Sequence, residues 1–116
     1  MGHDVPLVRP RVSSAFDFEG ELAVILGKSG RHIPEDQALD YVAGYTIMNE
    51  GSVRDWQSKG TQNCPGKNFH RSGSIGPWMT TRDEVNDLDT LQIKTTVNGE
   101  TRQDGGSDMM IFKVPF

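Results

Sequence analysis

The sequence predicts a mixed, β-rich α+β fold with one or two short peripheral helices. Two apolar runs, Leu22–Leu26 and Tyr45–Met48, have the length of strands and are bounded by glycine and polar residues. A third segment, Thr90–Val97, alternates apolar with polar residues and leads into Asn98-Gly99, a strong signal for a type I′ hairpin. Helical patterns are confined to two short segments, so strands are expected to dominate.

The first half of the chain is expected to contain two buried strands and one helix. Residues 1–15 lack periodicity and predict an extended lead-in. A strand over Phe18–Leu26 follows, and because it is apolar on both faces we expect it to be buried. A short helix over 34–42 begins at a proline, the residue favoured at the first helical position, and precedes the strand Tyr45–Met48.

The second half begins with a second short helix. Ser52 and Asp55 have the spacing of a capping box, which predicts a helix over Val53–Lys59. This helix places Arg54 and Gln57 on one face, three residues apart.

Beyond this helix the chain is expected to be irregular over 60–76 and then to form a hairpin. The second hairpin strand is predicted over Glu100–Gln103. Residues 109–116 are apolar and predict a last strand with nothing to cover it, so we expect the chain to belong to a larger fold.

Composition excludes several classes of protein. With 116 residues the chain is at most one domain, and its net charge of -4 with dispersed cations argues against binding nucleic acid. The sequence contains no apolar run long enough to span a membrane, and we expect no signal segment at residue 1. The single cysteine, Cys64, precludes an internal disulfide and suits a reducing cytoplasm, where we expect the protein to be located.

Three glutamates are candidate metal ligands. Side chains alternate along a strand, so Glu19 and Glu21 point the same way, roughly 6–7 Å apart. Two like charges on a buried strand are costly unless a cation lies between them. Glu50, just after the next strand, would complete a set suited to Mg²⁺ or Mn²⁺. On this motif alone, solvated carboxylates at a strand end are the commoner interpretation.

Two cations and an amide complete the candidate chemistry. Arg54 can grip a carboxylate, and Lys67 supplies a point charge that would stabilise an enolate or oxyanion together with a metal. Gln57 would help to orient a substrate. Taken singly, each of these residues is more commonly part of a solvated surface.

Several motifs, in this order along the chain, resemble the fumarylacetoacetate hydrolase family. The metal-binding strand of that family is similar to Asp17–Val24, and its Asn-Asp-x-Ser-x-Arg-Asp-x-Gln signature is similar to Asn49–Gln57. Further similar segments are Gly66–Phe69, Gly76–Trp78, Val97–Glu100, Arg102–Gly105 and Met110–Phe112. The match covers nearly all of residues 17–116, and such an ordered series is highly specific.

The resemblance implies strands rolled around an active site and a divalent metal, Mg²⁺ or else Mn²⁺ or Ca²⁺, at Glu19, Glu21 and Glu50. It implies a metal-dependent hydrolase or lyase acting on a small 2-oxo or 1,3-dicarbonyl acid, usually as a homodimer. Catalytic and substrate contacts are implied at Arg54, Gln57 and Lys67, and a substrate-binding hydroxyl at Ser107.

Departures from the family pattern leave an alternative open. Glu50 stands where the family usually has Asp. The family's N-terminal lid with its His-Glu pair has no counterpart, nor does its C-terminal section. We therefore expect residues 1–116 to form a single, partial catalytic domain. The alternative is an inactive, truncated relative that serves as an oligomerisation or interaction module.

Overall fold

The computed structural model describes residues 1–116, which pack as two compact units. The first unit comprises residues 1–21 and 47–77, and the second comprises residues 22–46 and 78–116. Regular structure consists of eight strands, two four-residue helices and five short 3₁₀ turns. The predicted mainly-β fold class with few short helices is confirmed. None of the helices has both the length and the apolar character needed to cross a bilayer.

The elements of the first half differ from prediction mainly in their bounds. Strand β1 is Phe16–Asp17 and β2 is Gly20–Leu26. Helix α1 is Glu35–Ala38, extended by a 3₁₀ turn, Leu39–Tyr41, so the predicted helix is shorter than expected. Strand β3, Val42–Glu50, is longer than predicted because it finds hydrogen-bonding partners along its length.

The elements of the second half are β4 (Ser52–Val53), α2 (Arg54–Gln57), β5 (Gly73–Ile75), β6 (Thr80–Thr81), β7 (Gln92–Val97) and β8 (Glu100–Gly106). Sequence patterns predicted α2, β7 and β8 but not the short strands β4, β5 and β6, and β5 lies in the segment that was expected to be irregular.

The first unit is built around two antiparallel strand pairs. In one, β1 pairs with β4, which sets Phe16 opposite Val53 and Asp17 opposite Ser52. In the other, β3 pairs with β5 through residues 48–50 and 73–75. Ser52 and Val53 are fully buried, which makes β4 the best-protected strand of this unit.

The second unit contains the predicted hairpin. Strands β7 and β8 pair antiparallel, and Asn98 and Gly99 both have positive φ, at 52° and 85°, as a type I′ turn requires. In the same unit β3 pairs with β6, and Val42 and Tyr45 are its buried apolar side chains.

Three structural predictions are wrong. The strand β2 is half-buried rather than buried, and Leu26 is largely exposed. The capping box does not form, because α2 has no side-chain cap and the Asp55 carboxylate accepts a hydrogen bond from Ser13 instead. Residues 109–116 form no strand, since no neighbouring strand pairs with them, and Ile111 is 91% exposed.

Candidate metal centre

Backbone pairing in the first unit brings Glu19 beside Glu50. The amide of Glu50 donates a hydrogen bond of 2.9 Å to the carbonyl of Glu19. The amide of Glu19 in turn donates to Oδ1 of Asn49 at 3.2 Å. These two bonds fix the start of β2 against the end of β3, so the two glutamates leave the backbone at neighbouring points.

The three predicted glutamates form a cluster. One carboxylate oxygen from each of Glu19, Glu21 and Glu50 lies within 4.8 Å of the other two. All three residues are half-buried. Carboxylates gathered this closely repel one another, so the cluster needs positive charge near it.

Glu19 receives most of the compensating hydrogen bonds. Its Oε1 accepts from the Ser52 hydroxyl at 2.8 Å and from Nη1 of Arg54, and its Oε2 accepts from the Lys67 ammonium at 2.7 Å. Burial alone would raise the pKa of Glu19, but these donors outweigh it and lower that pKa to about 2. Glu19 is therefore ionised throughout the physiological range.

Glu21, two residues further on in β2, has the opposite electrostatic situation. Burial raises its pKa, and a side-chain hydrogen bond with Glu19 and the charge of Glu50 raise it further. Lys67 offsets this only in part, through a longer-range attraction. Its carboxylate is thus the least compensated of the three and gains most from an added cation.

Lys67 lies at the centre of the charged groups. It follows a 3₁₀ turn, Cys64–Gly66, and its amide donates to the carbonyl of Cys64 at 3.0 Å. Its ammonium donates to Oε2 of Glu19 and to Oε2 of Glu50, each at 2.7 Å. Burial disfavours the charged ammonium, but these two carboxylates raise the pKa of Lys67 above its ordinary value. The ammonium is therefore a permanent cation in this setting.

Arg54 and Gln57 share one face of α2, as predicted. Nε and Nη2 of Arg54 both donate to Oδ2 of Asp17, at 3.0 and 2.8 Å. Its Nη1 donates to Glu19 and, at 3.0 Å, to Oε1 of Gln57. The bonds to Asp17 are the main reason why the pKa of Arg54 is raised. The guanidinium thus links the helix to the carboxylates.

Comparison with known proteins decides the family. The sequence model described as fumarylacetoacetate (FAA) hydrolase C-terminal matches residues 1–116, the whole chain. The chain belongs to this family.

Curated relatives of this fumarylacetoacetate hydrolase family chain include named enzymes. It is 40% identical over 115 residues to "Oxaloacetate tautomerase YisK" of Bacillus subtilis (strain 168), covering 98% of this chain and 38% of that protein. It is 39% identical over 115 residues to "Oxaloacetate tautomerase fahd2, mitochondrial" of Xenopus laevis, covering 97% and 36%. The chain thus spans less than two fifths of the length of these two relatives.

Solved structures of the family share the fold. A 2-hydroxyhepta-2,4-diene-1,7-dioate isomerase from Mycobacterium marinum superposes with a TM-score of 0.90 at 35% identity, covering 98% of this chain and 44% of that one. A maleylpyruvate hydrolase from Sphingobium sp. SYK-6 gives a TM-score of 0.83 at 32% identity, covering 95% and 40%. These relatives are named as enzymes of small oxo-acids, which agrees with the class of enzyme implied by the resemblance.

The donor set of this family member fits a hard divalent cation. It offers only carboxylate oxygens, the ligands preferred by Mg²⁺, Mn²⁺ and Ca²⁺, and no histidine or thiol takes part in the cluster. Three oxygens on one octahedral Mg²⁺ include at least two pairs about 3.0 Å apart, so oxygens at the 4.8 Å limit would need to approach by about 1.8 Å. Ca²⁺, with bonds of about 2.3–2.6 Å, would need a smaller approach. The cluster could therefore bind a metal, and its spacing alone does not select the ion.

Sequence reasoning missed two residues of the site. Asp17 continues the alternate-residue series of Glu19 and Glu21, and that period was the signal for it. Ser52 was assigned to a helix cap, whereas its hydroxyl donates to Glu19. No local pattern distinguishes these two uses of a serine.

Ser107 belongs to the second unit, whereas the three glutamates of the cluster belong to the first. It is buried, and its hydroxyl accepts from the amide of Leu91 at 3.0 Å and donates to the carbonyl of Leu91 at 3.2 Å. Within this unit it ties β8 to the start of β7. A substrate-binding role for Ser107 stays a prediction.

Proposed function

We propose that this chain is part of a metal-dependent enzyme that acts on a small 2-oxo or 1,3-dicarbonyl acid through an enolate. The observation that supports it best is the cluster of three glutamate oxygens within 4.8 Å, with a lysine ammonium bonded to two of the glutamates. Relatives named as tautomerase, isomerase and hydrolase support the same class of substrate.

Tautomerisation, decarboxylation and C–C cleavage of such acids share one charged intermediate, an enolate. Removal of a proton, a carboxyl group or an acyl group from the carbon beside a carbonyl leaves an enolate in each case. A divalent cation on Glu19, Glu21 and Glu50 would supply Lewis-acid polarisation of that carbonyl. A site that stabilises negative charge on the carbonyl oxygen therefore serves all of these reactions.

The chain's own residues have distinct roles in this proposal. The Lys67 ammonium, half-enclosed and always protonated, donates to the enolate oxygen as charge develops there. Arg54 binds the carboxylate of the substrate beside α2, while its own hydrogen bonds to Asp17 are kept. Gln57 uses Oε1 to accept from Arg54, which leaves its amide N–H groups for a substrate oxygen.

The remaining features of the proposal follow the resemblance. We take Mg²⁺ or Mn²⁺ as the working cation, Ser107 as a substrate contact, the cytoplasm as the location and a homodimer as the assembly. The alternative of an inactive interaction module is not favoured, because the relatives are named as enzymes and the charged cluster is intact.

An activity screen tests the function. The protein, and any longer form of it, is assayed with Mg²⁺ or Mn²⁺ for enol–keto exchange and decarboxylation of oxaloacetate and for cleavage of acylpyruvates and fumarylacetoacetate. Lys67→Met is expected to reduce kcat about 10²–10³-fold, the loss typical of removing one oxyanion donor. Lys59→Met is the matched control, because Lys59 stacks on Trp56 and contacts none of the carboxylates. Activity equal in both variants would contradict the role of Lys67.

A further inference from the structure

The Lys67 ammonium lies between two of the candidate ligands. It is 2.7 Å from Oε2 of Glu19 and 2.7 Å from Oε2 of Glu50, and the lysine side chain is only 16% exposed. A group that bonds to both oxygens occupies the space between the two carboxylates. A cation that bridged Glu19 and Glu50 through the same oxygens would need that space.

The other oxygen of Glu19, Oε1, is already bonded to two donors and is therefore a poor alternative ligand for a cation. Oε1 accepts from both Ser52 and Arg54, and the hydroxyl of the fully buried Ser52 has only the more distant carbonyl of Glu50, at 3.3 Å, as another acceptor. Arg54 is anchored in turn by two bonds to Asp17. Oε2 accepts fewer of these hydrogen bonds, one from Lys67, so a new ligand on this oxygen would lie beside the ammonium.

Electrostatic repulsion between the Lys67 ammonium and a divalent ion would make the two cations compete for Glu19 and Glu50. An ammonium and a divalent ion held by the same two carboxylates would repel each other strongly at this short separation. The lysine stem is flexible, with four carbons between backbone and charge, whereas the carboxylates are held by backbone pairing and buried donors. The ammonium is therefore the group that can leave.

We propose that Lys67 is an internal competitor of the metal, which keeps the affinity of the site for divalent ions low and is released when an ion binds. This inference deepens the proposed function and rests on it. Release would free the ammonium for a substrate oxygen only when the metal is in place. The lysine would thus couple metal binding to the availability of the donor for the substrate.

Metal titration of a lysine variant tests the competition. Mn²⁺ binding is measured by isothermal titration calorimetry for the wild-type protein, Lys67→Met and Lys59→Met. The two variants lose the same charge, but only Lys67 touches the glutamates. We expect Lys67→Met to lower the Kd for Mn²⁺ at least tenfold and Lys59→Met to change it less than threefold. A Kd that is unchanged or higher in Lys67→Met would overturn the inference.

Lysine labelling of the wild-type protein gives an independent measurement if Lys67→Met does not fold. The rate of acetylation of each lysine is followed by mass spectrometry with and without saturating Mn²⁺. An ammonium released from two carboxylates becomes more reactive, so the rate at Lys67 should rise several-fold while Lys59 stays constant. A rate at Lys67 that stays constant or falls in bound protein contradicts release.

The two proposals fail in different ways. If calorimetry detects no Mn²⁺ binding to any of these proteins, the metal centre of the proposed function is wrong, and the competition falls with it. If Mn²⁺ binds to the wild-type protein and to Lys67→Met with equal affinity, the metal centre stands and only the competition is wrong.

Discussion

Replacing Glu19 or Glu21 by glutamine should change the stability of the fold in opposite directions. Glu19→Gln removes a carboxylate that Ser52, Arg54 and Lys67 all stabilise, whereas Glu21→Gln removes one that its neighbours destabilise. The substitutions are chemically identical and two residues apart. They therefore control for each other in volume and net charge.

The magnitude for Glu19 follows from its pKa. A carboxyl whose pKa falls from 4.5 to about 2 on folding would stabilise the folded state by about 3 kcal/mol at neutral pH if nothing were screened. The side chain is 21% exposed, so solvent reduces this, and we expect Glu19→Gln to lower the free energy of unfolding by about 1–2 kcal/mol. Glu21→Gln is expected to raise the unfolding free energy in the absence of metal, because it relieves a penalty.

The dependence on pH has a definite sign for each residue. The stability contributed by Glu19 is present above pH 4.5 and is lost as the pH falls from there towards about 2. For Glu21 the raised folded-state pKa imposes a penalty at neutral pH that disappears as the pH falls towards 4.5. As the pH falls towards 4.5 the wild-type protein should therefore gain stability and Glu21→Gln should not, whereas below pH 4.5 both should lose stability alike.

Urea unfolding followed by tryptophan fluorescence, in EDTA and between pH 3 and 8, measures both effects. The reasoning would be refuted if Glu21→Gln destabilised the protein as much as Glu19→Gln at pH 7. Equal slopes for the wild-type protein and Glu21→Gln in mild acid would likewise show that Glu21 carries no penalty.

Three further predictions concern the same site. Saturating Mg²⁺ or Mn²⁺ should raise the melting temperature by mass action. The increase should vanish when Glu19 and Glu21 are both replaced by Gln, and an increase retained in that double variant would exclude the site. Ser52→Ala should destabilise the protein by about 1–2 kcal/mol in urea titrations, since it removes a donor from the half-buried carboxylate of Glu19. The exposed Ser58→Ala should change the stability little. Gly66→Ala should lower kcat, because a Cβ at residue 66 would lie 2.8 Å from the backbone nitrogen of Gln57. Cys64→Ala should leave kcat unchanged, and equal kcat values in the two variants would show that the contact with Gln57 is unimportant.

Local rules predicted the parts of the structure that depend on local geometry. The period of two along a strand put Glu19 and Glu21 together, and their carboxylates do lie in one cluster. Asn98-Gly99 predicted the hairpin, because its positive φ values are a property of two adjacent residues. Each of these signals is contained within a few residues of sequence.

The errors arise where a distant partner decides the structure. Asp55 bonds to Ser13, a residue 42 positions away, and so the capping box never forms. Lys67 reaches Glu19 across 48 residues from a segment that was predicted only to be irregular. The apolar C-terminal residues were predicted as a strand, but a strand needs a neighbour to pair with, and no window of sequence shows whether one is present.

One further consequence concerns β4, whose two fully buried residues stand directly between Glu50 and Arg54. Along this stretch Glu50, Ser52 and Arg54 all bond within the charged centre, whereas Val53 is buried in the protein interior. Trimming Val53 would therefore shift a candidate ligand and a candidate substrate contact at once. A mutational survey that scored turnover alone would rank Val53 with the reactive groups, although the valine is chemically inert. A parallel measurement of protein abundance or folding would show that the loss of turnover at Val53 comes from disrupted packing and not from the loss of a reactive group.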